Sequence, residues 1–212
     1  MARHRIAITQ RVVDVVGRGE RRDALDQRWA VLAARLDALI LPVPNLVDDG
    51  AAWIGAVAPD LLVLSGGNDL ASLPEATDTA PERDALEAQL VEGAMADGLP
   101  VLGVCRGMQF LINHFGGRLD AVDDHAGTEH VIMGTSLGEA VERRVVASYH
   151  RWGVRPDGVP REFRIVATAA DGTVEGIAHA AHPMRGIMWH PERGEAHDDD
   201  LAMMAALLRG ER

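Results

Sequence analysis

Three side chains in this 212-residue chain are of types that together can cleave an acyl bond: Cys105, the only cysteine, and the pair His190 and Glu192. A cysteine nucleophile needs a base to hold or take its proton, and that base needs an orienting group. In an extended chain, residues two apart project to the same side, so the His190 imidazole and the Glu192 carboxylate can work together, with Pro191 fixing the backbone between them. Thiolate attack on a carbonyl would create a tetrahedral oxyanion, which two backbone N–H groups should receive. Gly67 and Arg106 are the candidates.

The elements that must position these groups can be read around each of them. Val101 to Val104 is too short for a helix and rich enough in valine to be a buried strand. Helical spacing then takes over, with Met108, Leu111, Ile112 and Phe115 on one face and Gly116-Gly117 as the stop. Cys105 therefore falls at the turn from strand to helix. Gly103 and Gly107 flank it, as a sharp bend under close chain approach requires. At a helix N-terminus the dipole favours thiolate, lowering a pKa that is ~8.5 in free cysteine. A lone cysteine can equally be a small buried hydrophobe, and the local pattern alone leaves both readings open.

Ser65-Gly66-Gly67-Asn68-Asp69 follows the apolar run Leu61 to Leu64 directly. Two glycines after a buried strand let backbone amides face an anion or oxyanion, although glycine pairs in that place are also common turns. Downstream, Gly186 to Trp189 reads as a strand that delivers His190 and Glu192 at its C-terminal end.

Earlier in the chain, Arg5 to Thr9 predicts a buried strand, and Gln10 to Glu20 a loop marked by Gly17 and Gly19. Leu25, Trp29, Leu32 and Leu36 predict a helix with Asp23 at its N-cap or first turn. Leu39 to Pro44 is a second strand, and Glu82 to Ala96 a helix with Pro81 near its first turn. Alternation of strands and helices predicts an α/β fold: a three-layer, open, mostly parallel sheet with helices on both faces. Arg144 to Val146, Phe163 to Ala167 and Thr173 to Ala178 add strands, some of them antiparallel, in the C-terminal half, and a helix from about Asp199 to Leu208 closes the chain. Between Asp120 and Gly138 the residues Asp123, Asp124, His125, Glu129 and His130 match no common zinc spacing and read as a solvated loop, so no metal is expected.

The length and a hydrophobic content of 47% fit one domain over residues 1–212. A net charge of −11 argues against nucleic acid or an anionic membrane as partner and leaves small molecules as the default ligand. The single cysteine cannot form an internal disulfide, the start Met1 to Ile6 has no apolar signal core, and no apolar run approaches the ~20 residues of a membrane span. A reducing cytoplasm is the expected compartment.

Taken together, Gly103-Val104-Cys105-Arg106-Gly107-Met108-Gln109 resembles the cysteine elbow of the class I glutamine amidotransferase superfamily, whose fold is flavodoxin-like. His190-Pro191-Glu192 is similar to its histidine–glutamate pair, and Ser65 to Asp69 to its oxyanion loop. Within the superfamily the chain most resembles gamma-glutamyl hydrolases of the gamma-glutamyl-gamma-aminobutyrate hydrolase type. Ser148-Tyr149-His150 looks like that group's serine-x-histidine segment near the substrate. Trp152, where many members have glutamine, and the stretch Gly19 to Gln27 depart from the pattern.

The resemblance implies a gamma-glutamyl thioester on Cys105, with His190 as acid and base, Glu192 as its orienter, and Gln109 and His150 toward the substrate. Arg21, Arg22 and Arg151 could meet an anionic substrate, such as the nucleotide-linked glutamine that relatives use in capsule phosphoramidate assembly. No cofactor is expected. Three functions fit: a free-standing gamma-glutamyl amide hydrolase, a glutaminase subunit that passes ammonia to a partner synthetase, or a binding module on the same fold. A homodimer is the other association to be considered.

Overall fold

The computed structural model describes residues 3–134, 143–193 and 197–211. In chain order the elements are β1 His4–Thr9, β2 Arg11–Val15, β3 Glu20–Ala24, α1 Arg28–Arg35, β4 Ala38–Val43, α2 Gly50–Val57, β5 Leu61–Leu64, α3 Pro81–Asp97, β6 Val101–Val104 and α4 Arg106–His114. Then follow β7 Asp120–Ala121, β8 Ala126–Gly134, β9 Arg143–Tyr149, β10 Trp152–Gly153, a 3-10 turn at Pro156–Gly158, β11 Phe163–Ala169, β12 Val174–His179, β13 Met184–Ile187 and α5 Asp198–Leu208.

Among the described residues, nine strands form one sheet in the order β4-β1-β5-β6-β13-β12-β11-β8-β9. The first five are parallel, and the rest are antiparallel, as the sequence predicted for its two halves. Helices cover both faces. Because strand side chains alternate, Leu62 and Leu64 of β5 join α2, α3 and α4 in one apolar cluster, while Leu61 and Val63 join α1 and α5 in the other. Every residue of β5, β6 and β13 is buried; β5 and β6 accordingly read as unbroken apolar runs, whereas β13 also buries Arg185 and packs Gly186 against Ile177 and Met108.

Four expectations need correction. The strand expected over Gly186 to Trp189 is β13, Met184–Ile187, and His190 to Arg193 beyond it form a turn rather than an extended segment. Gln10 to Glu20 is not simply a loop: β2 and β3 form an antiparallel hairpin, and only its tip uses Gly17 and Gly19, at φ 78° and 63°. The helix begins at Arg28, with Gln27 in the cap position. Asp23 lies instead in β3, where its carboxylate accepts from the Asn45 backbone N–H and side-chain amide at 3.0 and 2.7 Å. The histidine-bearing stretch after Asp120 is also ordered as β7 and β8 rather than a solvated loop, and its end from residue 135 to 138 lies outside the described residues. No described helix is long and apolar enough to cross a membrane.

Candidate active site

Cys105 sits between β6 and α4 at φ 53° and ψ −107°, a left-handed conformation that a non-glycine residue adopts only under constraint. The constraints are visible on both sides. A Cβ at Gly107 would lie 2.1 Å from the Leu64 carbonyl oxygen, and one at Gly103 would lie 2.7 Å from the Gly107 backbone. Only glycine at both positions lets the helix start turn back so tightly against the sheet. The Cys105 N–H donates to the Ile187 carbonyl at 2.7 Å, so the bend is tied to the neighbouring strand.

That neighbour is β13, which runs parallel to β6 with Ile187 opposite Val104. Parallel pairing makes both chains leave the sheet at the same end, and this brings His190 to Cys105. Glycine is again required at the contact, since a Cβ at Gly66 would come within 2.9 Å of His190 Cε1. Glu192, ionised, can only accept, so His190 Nδ1–H donates to Glu192 Oε1 at 2.7 Å. This leaves Nε2, which makes no hydrogen bond, free for the Cys105 sulfur. Burial works against the imidazolium, but the adjacent Cys105 sulfur and the Glu192 carboxylate outweigh it and hold the His190 pKa at about 9. The segment is anchored behind by Trp189 Nε1–H donating to Asp200 at 3.0 Å, and its front is walled by the Tyr149 ring, edge-on to His190 at 5.6 Å.

The loop Ser65 to Asp69 is held from inside the protein. Arg83, on α3, is fully buried and donates to the carbonyl oxygens of Ser65 at 2.6 Å, Gly67 at 2.6 Å and Gly66 at 3.3 Å. Glu87, one helical turn on and equally buried, accepts from Arg83 at 2.9 Å and also pairs with the Arg106 guanidinium, which reaches Asp84 as well. Burial and the nearby Arg106 cation lower the Arg83 pKa to about 10, against Glu87, so it stays charged at neutral pH. Arg106 opens α4, so no carbonyl within the helix takes its backbone N–H. One carboxylate thus joins the mounting of both candidate oxyanion donors. On the outer side, Val12 of the hairpin exchanges hydrogen bonds with the Asn68 amide at 2.8 and 2.9 Å, and Arg11 packs over Gly67.

A cavity of about 580 Å³ opens over Cys105 and is lined by Gly67, Arg106, Gln109, His150 and Trp152. Gln109 donates to the Trp152 carbonyl at 2.7 Å, and so does His150 Nδ1–H at 3.0 Å, so both expected substrate residues grip the cavity wall. Arg151 borders the same space. Arg21 and Arg22 do not reach it: Arg21 pairs with Glu82 and Asp14, and Arg22 with Glu20 on the exposed side of the hairpin. The structure therefore brings together Cys105, His190, Glu192, Gly67, Arg106, Gln109 and His150 of the residues singled out above, and leaves the two hairpin arginines apart. Arg83 and Glu87 escaped notice in the sequence. Their spacing of four is a recognisable ion-pair signal, but on an amphipathic helix it ordinarily marks a solvated face.

A family model described as Peptidase C26 matches residues 17–192. The chain is 28% identical over 189 residues to the gamma-glutamyl-CDP-amidate hydrolase of Campylobacter jejuni, covering 89% of this chain and 90% of that one. It is 30% identical over 169 residues to aminodeoxychorismate synthase component 2 of Escherichia coli, covering 76% and 78%. The crystal structure of a glutamine amidotransferase from Thermotoga maritima superposes with a TM-score of 0.65 at 18% identity, covering 100% of this chain and 92% of that one, which speaks to the fold.

Proposed function

This chain belongs to the Peptidase C26 family of class I glutamine amidotransferase-like proteins, and from that premise we propose that it is a cysteine-dependent hydrolase of gamma-glutamyl amides. The observation that carries this is the meeting of the strained Cys105 elbow with a buried, Glu192-oriented His190. The Cys105 thiolate adds to the gamma-carbonyl carbon, and the oxyanion turns to the N–H groups of Gly67 and Arg106. When the C–N bond breaks, the His190 imidazolium gives its proton to the departing nitrogen. His190 then takes a proton from water, the hydroxide attacks the thioester, and glutamate leaves as the thiolate re-forms.

A volume of about 580 Å³ falls in the range of sites for drug-sized ligands, which supports a leaving group larger than ammonia beside the glutamyl part. The likeness to the C. jejuni hydrolase and the presence of Arg151 at the rim favour a leaving group that carries phosphate, with Arg21 and Arg22 having no part in its capture. Glutamate release from gamma-glutamyl-CDP-amidate, gamma-glutamyl-aminobutyrate and glutamine tests the reading. Turnover of one of the first two, abolished in Cys105→Ala, is expected.

A second reading rests on the likeness to aminodeoxychorismate synthase component 2: a glutaminase subunit serving a synthetase. It predicts glutamine as the only amide accepted and little turnover by the isolated chain. That result would displace the free-standing hydrolase.

A further inference from the structure

Behind the cavity wall, three imidazoles converge on one carboxylate. Glu175 of β12 is fully buried, and its Oε1 lies 3.4 Å from His125 Nδ1, 3.4 Å from His130 Nε2 and 3.4 Å from His150 Nε2. His125 Nδ1 and His150 Nε2 are themselves 3.3 Å apart. Neither oxygen of Glu175 and neither nitrogen of His130 has a hydrogen-bond partner of acceptable geometry. A carboxylate taken out of water without hydrogen bonds is costly, and such a group calls for a counter-ion.

The outward-facing nitrogens decide which counter-ion suits it. His150 donates its Nδ1–H to the Trp152 carbonyl, which leaves a lone pair on Nε2 pointing inward. His125 Nε2 faces the Asp171 carboxylate at 3.4 Å, which likewise directs the lone pair of Nδ1 inward. Histidines that bind metal are held in this way, each giving its remote N–H to a carboxylate or carbonyl. The spacing agrees. A tetrahedral shell with bonds of ~2.0–2.1 Å has ligand-to-ligand edges of about 3.3–3.4 Å. The candidate donor atoms of His125, His130 and Glu175 all lie within 4.8 Å of one another.

We propose that His125, His130 and Glu175, joined by the His150 Nε2 beside them, form a binding site for a divalent transition-metal ion of the zinc class, a site that the linear spacing of the histidines did not suggest. The ion pins β12, the residue before β8 and the middle of β8, and the segment after β9 to one another. Its effect on the cavity passes through His150, whose other nitrogen holds the Trp152 carbonyl. It is a positioning site behind the cavity that His150 shares with Cys105, and it stands whether or not the hydrolase reading does.

The test is metal retention by the full chain without a histidine tag. Wild type and Cys105→Ala are loaded with Zn²⁺, passed over chelating resin and analysed by mass spectrometry for metal per chain. About one equivalent is expected in both, and at least ~10-fold less in Glu175→Gln and in His130→Gln. Equal retention by these variants, or retention lost in Cys105→Ala, would place the metal elsewhere and overturn the site. Should either variant fail to fold, Co²⁺ absorption of the intact Cys105→Ala chain decides. Intense visible bands of a four-coordinate nitrogen and oxygen shell support the site, and their absence, or a wild type that retains no Zn²⁺, removes it.

Discussion

Arg83 donates to the carbonyl oxygen of Gly66 from a position with no solvent contact. In a trans peptide the carbonyl and the amide point in opposite directions, so this grip aims the N–H of Gly67 away from Arg83 and toward the cavity over Cys105. Arg83→Lys keeps the charge but cannot reach the carbonyls of Ser65, Gly66 and Gly67 together. In the active preparation it should lower kcat by about 10²-fold, the effect of losing one oxyanion donor, with a smaller change in KM. Steady-state kinetics separate the two.

Glu87 compensates two buried cations, Arg83 and Arg106. Glu87→Ala leaves both without their shared partner, and uncompensated buried charge costs about 3–5 kcal/mol. Urea denaturation should show a loss of that size, well beyond that of Glu82→Ala at the surface-facing start of the same helix.

Cys105 pays for its reactive placement with a positive φ of 53°. Cys105→Gly and Cys105→Ala should both release no glutamate, yet the glycine variant should be the more stable by roughly 1 kcal/mol, because only glycine relaxes there. A thermal melt in which alanine equals or exceeds glycine would contradict the strain.

The His190 pKa, about 9, lies above the ~6.5 of an unfolded histidine. A raised folded-state value means that the stabilisation is complete below ~6.5 and disappears as pH climbs through about 9. Glu192→Gln removes part of the cause. Its stability deficit relative to wild type should therefore be largest near pH 6 and shrink toward pH 10, as equilibrium denaturation at both ends of that range will report. Turnover should decline over the same upper limb, where His190 no longer carries a proton for the leaving group.

Gly107→Ala drives a methyl into the Leu64 carbonyl, 2.1 Å away and part of the central strand β5. Backbone on both sides cannot give way cheaply. Expression in soluble form should fall sharply, while Gly55→Ala, whose added carbon meets nothing within 4 Å, should be harmless or slightly stabilising.

Much of this arrangement was legible in the chain. Apolar runs at Leu61 to Leu64 and Val101 to Val104, each followed by glycine-rich polar residues, announced strands whose ends carry chemistry. His190 and Glu192 do meet, but across a turn closed by the Arg193 N–H on the His190 carbonyl at 3.1 Å rather than on the extended chain that their alternation suggested. What stayed hidden had a common cause: partners far apart in sequence. Arg83 looks like a surface residue until β5 is placed beside it, and Glu175 gives no hint that His125, His130 and His150 meet it. The hairpin was missed because Glu20-Arg21-Arg22-Asp23 is charged at successive positions and shows no apolar alternation; its burial pattern confirms that β3 is an exposed strand.

The seam between β13 and β12, where the sheet changes from parallel to antiparallel pairing, divides the protein's labour. On the parallel side lie the thiol, the imidazole and the backbone amides, fixed by close-packed glycines at 66, 103 and 107 and by the buried Arg83. From the other side come His150 and Trp152, which shape the room above them. Directed evolution of ligand selectivity therefore has its natural boundary along that seam, with Ala121, Arg151 and Trp152 the positions that can change while Cys105 and His190 are left as they are.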